Sequence, residues 1–450
     1  MPILDLADGV TVHEVSTKSL GDHSYVIVTG DTGAVIDPQR DFERFAVLLA
    51  DAGAEPAGVL ETHIHNDYVS GGSLLADGYG CPYLLPTDSG ATLPHRAIGD
   101  GEDLPLAEGW SLRAVATPGH TPHHTSYVLV SPTGPVAVFT GGSMLVGTVG
   151  RTDLLGDDLT DRLTRDQFHS VRRLGDRLAD PVTVAPTHGA GSFCATDPSG
   201  ASTSTIGLEW DQNPALLTDD EDVFVEGQTG NLMLYPSYYE HMAPINRHGA
   251  GRIDPPPPAL GPEALAATDA LVIDIRRTGD FAAGHVPGSV SIPFSPTAAV
   301  YTAWAGPWNQ PTVLVGGDPA RVETMRIDLA RIGHDAVVGV VTDGLDAWRA
   351  EGRPLSTMRL ADFEEMAAAA PEVILDVRDP GEANTWIPGA QRIHVASVSA
   401  DRVDGDGPVW VYCESGYRTV IAASRLQAQG REVVAVMGNW TSWDGPTESS

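Results

Sequence analysis

His63 and His65 stand two residues apart in Thr62-His63-Ile64-His65-Asn66-Asp67-Tyr68, directly after the apolar run 57–60. Imidazoles at that spacing, with an acid two residues further on, suit a turn at a strand end that points several ligands at one cation. Imidazole serves zinc and iron alike, so these donors leave the metal open. A lone His-x-His arises by chance. Here Thr117-Pro118-Gly119-His120 and Pro186-Thr187-His188-Gly189 follow two further apolar runs. Histidine motifs in three loops, each just past a strand, are hard to explain as satisfied core residues. They point to a metal centre.

A second centre is spelled by Tyr412-Cys413-Glu414-Ser415-Gly416-Tyr417-Arg418, followed by the helical run 419–429. A thiol at a strand end that opens a tight loop into a helix meets successive backbone amides and the positive end of the helix dipole. Both favour a thiolate or a terminal persulfide anion. Arg418 adds fixed positive charge, and Gly416 lets the loop close. The other two cysteines, Cys81 and Cys194, lack this context and read as packing residues. Cys194 ends Gly189-Ala190-Gly191-Ser192-Phe193-Cys194, close to His188.

The elements that must position these groups come in three blocks. Residues 1–248 alternate strand-like runs (24–28, 34–36, 58–60, 112–115, 126–130, 136–139, 182–185) with Gly-rich loops, and carry helical patterning at 41–52 and 165–178. The stretch 200–245 reads as helical, with Tyr235, Tyr238, Tyr239 and His241 forming an aromatic cap. Residues 249–262 contain four consecutive prolines, Pro255 to Pro258, which exclude helix and favour an extended spacer. Beyond it the chain repeats itself. Leu271-Val272-Ile273-Asp274-Ile275-Arg276 matches Val373-Ile374-Leu375-Asp376-Val377-Arg378, and each copy continues to Pro-Gly, at Pro287-Gly288 and Pro388-Gly389. Two small parallel-sheet α/β domains follow, 263–355 and 356–450. The first has Val315-Gly316-Gly317-Asp318 where the second has Cys413, so it should be catalytically silent.

The front block resembles the metallo-β-lactamase fold superfamily, through the histidine motifs and Phe139-Thr140-Gly141. Gly150-Arg151-Thr152-Asp153 looks like the signature of its persulfide dioxygenase branch. The resemblance implies an αββα sandwich. It also implies iron, as Fe(II), held by His63, His120 and an aspartate just after Phe-Thr-Gly. That third position is Gly142, without a side chain, and Tyr68 stands where the superfamily usually has a second-metal histidine. His65 is then the expected third ligand, with Asp67 and His188 left for a second site or outer support. An aspartate restored at 142 should strengthen the site if the loop tolerates a β-carbon. The two C-terminal copies are similar to rhodanese domains. The whole resembles persulfide dioxygenase–rhodanese fusions, which implies oxidation of a low-molecular-weight thiol persulfide by O2 to sulfite, with Cys413 passing sulfane sulfur to or from thiosulfate. The rivals are a Zn(II) hydrolase of a thioester-like bond joined to a sulfurtransferase, and a metal-free scaffold or sensor joined to one.

Composition bounds the partners. Lys18 is the only lysine among 27 basic residues, against 60 acids, for a net charge of −33. That disfavours nucleic acid and acidic membranes. No apolar run reaches the roughly 20 residues needed to cross a bilayer, and the N-terminus lacks a signal-peptide pattern. Three scattered cysteines argue against a disulfide framework, so a cytoplasmic location is expected. A homo-oligomer is compatible with all of this.

Overall fold

The computed structural model describes residues 3–4, 6–189, 192–194, 200–230, 232, 234–379 and 381–449; Ala190 and Gly191 of the Cys194 loop lie outside the described residues. It divides into two units, Met1–Ile253 with Ala330–Gly333, and Asp254–Leu329 with His334–Ser450.

In the first unit two sheets face each other. The seven-stranded one runs in chain order from Ile3–Leu4 through Asp22–Thr29, Thr32–Ile36 and Glu55–Leu60 to Arg96–Ile98. The six-stranded one has Gly134–Gly141 between Thr125–Ser131 and Thr183–Pro186, with Ser111–Ala116 further out. Alternation along the strands builds the layers. Tyr25 and Ile27 point between the sheets, where they meet Leu112, Tyr127, Leu129 and Phe139. Their neighbours Val26 and Val28 point outward onto Phe45 and Leu49, one turn apart on the helix Glu43–Ala52. Across the sandwich, Val128, Val138 and Val184 take Phe168, Val171 and Leu174 of the helix Asp157–Arg177. The four layers are helix, sheet, sheet, helix. That second helix begins about two turns before the patterned run 165–178, with Asp157 and Asp158 in its first turn, where acids suit the dipole.

The second unit holds two parallel sheets. The first copy orders its strands Val290–Ser291, Leu271–Asp274, Thr312–Val315, Val337–Val341. In the second copy, Val373–Asp376 and Val409–Tyr412 are adjacent in a five-stranded sheet. The repeat is also chemical: Asp274 accepts from the backbone and guanidinium of Arg276, and Asp376 does the same for Arg378. The proline run carries neither helix nor strand, and its end is not a free spacer. Val340 N–H donates to Pro258 O and Leu260 N–H to Val340 O, so the segment docks on the strand Val337–Val341. Proline carbonyls still accept hydrogen bonds, and Leu260 supplies the donor that proline lacks.

Candidate metal centre and sulfur-transfer loop

The loops that follow four strands converge. His63 and His65 follow Glu55–Leu60, His120 follows Ser111–Ala116, Gly142 follows Gly134–Gly141 and His188 follows Thr183–Pro186. The imidazoles of His63, His65, His120 and His188 are all at most 1% exposed. Ring centroids of His63 lie 4.1 Å from His65, 4.8 Å from His120 and 5.4 Å from His188.

Hydrogen bonds fix which nitrogen of each ring is bare. Thr62 Oγ1 donates to Asp37 Oδ2 at 2.8 Å and so accepts from His63 Nδ1, 2.9 Å away. His120 Nδ1 donates to the Arg151 carbonyl at 2.7 Å, and His188 Nδ1 faces Asp22 Oδ1 at 3.0 Å. The Nε2 atoms of His63, His120 and His188 are buried without a hydrogen-bond partner. His65 is turned the other way. Its Nε2 is held by Tyr68 Oη at 2.9 Å, Glu61 Oε2 at 3.1 Å and Asp37 Oδ1 at 3.2 Å, which leaves Nδ1 bare. Both oxygens of Asp67 are also unpartnered. Each such group would cost about 1–3 kcal/mol if left unsatisfied in a fold. Four bare imidazole nitrogens in one region, each ring anchored from behind by an oxygen, is the arrangement of metal ligands with their supporting shell.

Donor atoms of His63, His65 and His188 all lie within 4.8 Å of one another, as do those of His120, His188 and Cys194, and those of Asp22, Asp67 and His188. The sequence singled out His63, His65 and His120 as the ligands; the geometry gives His188 a place in three of four such sets among the described residues, the fourth being Asp37, Glu61 and His65. It also brings in Cys194, read from the sequence as packing.

Charge follows the same plan. Burial and neighbouring imidazoles hold His63 and His120 well below the ordinary range, so both are neutral with a lone pair to offer. Burial works on His65 in the same sense, but Asp37 and Glu61 outweigh it and raise it well above. Burial raises Asp22, Asp67 and Glu61 to about 7. Asp37 alone is brought down to about 2, because His65, Thr187 and the Thr62 amide together overcome its burial.

Residues outside the histidine motifs do much of the positioning. Asp37 has a left-handed backbone, φ 54°, and its carboxylate takes the Thr62 amide at 2.7 Å together with the hydroxyls of Thr62 and Thr187. It thereby ties three strand ends together. Strain of this kind is kept where the surroundings over-determine it. Asp37 and Glu61 each directly follow an apolar strand, the same signal that marked the histidines; Asp22 gave none. Gln167, on the long helix, accepts the His120 amide at 2.8 Å. Gly119 is required there, since a β-carbon would sit 2.0 Å from Gln167 Oε1. His124 accepts the Gly142 amide at 3.1 Å and holds that loop.

Gly142 does not accommodate the acid expected to strengthen the site. A β-carbon there would lie 2.3 Å from His120 Cδ2. The obstacle is the ring, because residue 142 has no left-handed φ, unlike Gly141 at 55°. Tyr68, in the place of a second-metal histidine, caps His65. A cavity of about 310 Å³ beside the motifs is lined by Ile64 and Asn66, which flank His65, by Thr121, next to His120, and by Arg247.

In the second unit, Cys413 sits at the end of Val409–Tyr412, 1% exposed, and accepts the Gly416 amide at 3.1 Å. Gly416, at φ 90°, opens the helix Tyr417–Ala428. Arg418 does not act as an isolated cation: Glu382 takes it with two hydrogen bonds of 2.6 Å. Tyr417 Oη donates to Pro293 O at 2.9 Å and accepts from Ser295 Oγ at 2.8 Å, so the first copy steadies this loop. In that copy, Gly316 follows the strand where Cys413 does here. The loop there borders a cavity of about 380 Å³ lined by Arg276, Asp318, Arg321 and Arg349, with no nucleophile.

Family models agree with this division. The metallo-beta-lactamase superfamily matches residues 20–188, and the rhodanese-like domain matches 262–351 and 360–445. Persulfide dioxygenase ETHE1 of human mitochondria is 29% identical over 215 residues, 47% of this chain and 77% of that protein. Its bovine counterpart is 27% identical over 229 residues, covering 50% and 83%. Hydroxyacylglutathione hydrolase of Rhizobium johnstonii is 26% identical over 233 residues, covering 45% and 85%. Among solved structures, a metallo-beta-lactamase from Staphylococcus aureus subsp. aureus COL superposes with a TM-score of 0.67 at 26% identity, over 74% of this chain and 99% of that one.

Proposed function

Because this chain is a metallo-β-lactamase-superfamily domain followed by two rhodanese-like domains, we propose that it joins oxidation of a low-molecular-weight thiol persulfide to sulfane-sulfur transfer at Cys413. The observation that carries the reading is the ring of buried, unpartnered donors in the first domain, on the same chain as a loop thiol at a helix start. His63, His65, His120 and His188, with Asp67, would hold the metal, taken here as iron. When bound, Fe(II) supplies the redox chemistry by which O2 takes persulfide sulfur to sulfite.

The chain's own residues prepare that site. Asp37 and Glu61 engage Nε2 of His65, which leaves Nδ1 for the centre. The Arg151 carbonyl fixes the His120 tautomer, and Asp22 orients His188. Asn246 of the helix Tyr239–His248 donates to the His65 and Tyr68 carbonyls and fastens that helix over the motif. At the second site the Cys413 thiolate attacks the outer sulfur of a persulfide or of thiosulfate. Its S–S bond breaks, thiolate or sulfite leaves with the electron pair, and Cys413 keeps the sulfane sulfur. The Gly416 amide and the helix start stabilise the resulting anion. Placing both sites on one chain raises the local concentration of the shared sulfur species.

One observation favours a second reading. Asp22, Asp67 and His188 form a further donor set, which suits a zinc-dependent hydrolase. The hydroxyacylglutathione hydrolase relative points the same way. Metal analysis of the purified chain, with O2 uptake on a thiol persulfide, decides between them. Iron with O2 consumption and sulfite release supports the proposal. Zinc with thioester hydrolysis and no O2 uptake replaces it, and a chain that takes up neither metal leaves only the sulfurtransferase.

A further inference from the structure

Residue 142 supplies no carboxylate, and the His120 ring fills the space where one would begin. A divalent ion held largely by imidazoles is stabilised by each further anionic donor. Cys194 is buried and free, and its Sγ falls within 4.8 Å of donor atoms of both His120 and His188. The Nε2 atoms of those two imidazoles are the buried, unpartnered ones. One residue orients both sides of this set. The Arg151 carbonyl accepts from His120 Nδ1 at 2.7 Å, while the Arg151 amide donates to the Cys194 carbonyl at 3.0 Å. The Cys194 amide is in turn held by Ser192 Oγ at 3.2 Å. The Cys194 thiol donates to Tyr239 Oη at 3.7 Å, and once Sγ has lost its proton the same hydroxyl can turn to donate to the sulfur. Asp67 is shared with His188, whose Nδ1 lies 3.3 Å from Oδ2 and which Asp22 also holds.

We propose that Cys194 is a thiolate ligand of the metal centre, supplying with His120 and His188 the anionic donor that Gly142 cannot. The inference rests on the metal-centre reading above. Binding converts the thiol to a metal–thiolate bond and releases its proton to solvent, with no change of oxidation state. Soft sulfur also changes the preference of the site, favouring zinc, cobalt or iron over magnesium or calcium.

The test uses the full chain carrying Cys413→Ser, so that the rhodanese thiol cannot contribute, stripped with a chelator and titrated with Co(II). The expected result is ligand-field absorption in the visible together with a thiolate-to-cobalt charge-transfer band in the near ultraviolet. Adding Cys194→Ser should remove the charge-transfer band, keep the visible bands, weaken Co(II) binding about 10- to 100-fold and lower proton release by one per ion. Tyr239→Phe should shift the band without removing it, which guards against misfolding of the serine variant. Visible bands without a charge-transfer band in the parent chain, or a band that survives Cys194→Ser, overturns the thiolate ligand and leaves the metal centre standing. No Co(II) uptake by the parent chain overturns both.

Discussion

A β-carbon at residue 142 would lie 2.3 Å from Cδ2 of His120 and 2.8 Å from its Nε2. Glycine here is the residue that lets the His120 ring reach the centre, and the ring cannot shift freely because the Arg151 carbonyl and the Gln167 amide oxygen hold its side chain and backbone. Gly142→Asp should therefore weaken the site. The expected outcome is a loss of about 1–3 kcal/mol of stability from overpacking, with lower metal occupancy. Denaturant unfolding and metal analysis check it; equal stability with higher metal retention would show that the ring moves aside.

Asp37→Asn isolates the charge that binds three strand ends. Asparagine tolerates the left-handed backbone at φ 54° and keeps the volume, so the change falls on the ion pair with His65 and on the Thr62 and Thr187 hydrogen bonds. A loss of about 3–5 kcal/mol is expected, as for a buried pair deprived of one partner. A melting curve close to that of the parent chain would mean that Glu61 suffices to hold His65.

Sulfur transfer should depend on Cys413 alone among the three cysteines. Cys413→Ser should abolish thiosulfate-to-cyanide transfer, and Cys81→Ser, distant from both sites in sequence and only half-buried, should leave it intact. Arg418→Ala should slow transfer without eliminating it, since the Gly416 amide still meets the sulfur. The two hydrogen bonds between Glu382 and Arg418 add an expectation that the sequence did not offer. Glu382→Gln removes the opposing charge, so alkylation of Cys413 by iodoacetamide should speed up. Slower alkylation would mean that Glu382 serves to place Arg418.

His334, in the first rhodanese-like copy, provides a test of pH dependence away from both centres. Burial pushes it down to about 4, with Asp335 opposing, and its Nε2 pairs with Thr312 Oγ1 at 3.0 Å. A histidine depressed in the fold favours the neutral form. Its stabilisation is therefore complete above the unfolded value near 6.5 and is lost as pH falls from there towards 4. The loss approaches about 3 kcal/mol at the acid end, at roughly 1.4 kcal/mol per pH unit. Denaturant unfolding of the second unit between pH 7 and 4 measures it, and His334→Gln should flatten the slope. An unchanged slope would assign the acid sensitivity to other groups.

The sequence alone determined what is written locally. A histidine just past an apolar run, a glycine closing a loop, four prolines in a row and an Asp-x-Arg that recurs about a hundred residues later are short-range signals, because turn chemistry and strand alternation depend on near neighbours. Hence the four-layer sandwich, the order of domains and the strand–loop–helix setting of Cys413 were legible. What only the tertiary structure decided are relationships across the sheets. Asp37, Glu61, His65 and Thr187 meet because parallel pairing of Thr32–Ile36 with Glu55–Leu60, and the facing of two sheets, bring distant strand ends to one rim. His188 joins three donor sets, and Cys194 comes beside His120, through loop contacts that no spacing encodes. The obstacle to an acid at 142 was hidden from the sequence for the same reason. Whether a β-carbon fits depends on which ring packs against it, and that ring belongs to a residue 22 positions earlier, in the loop after another strand.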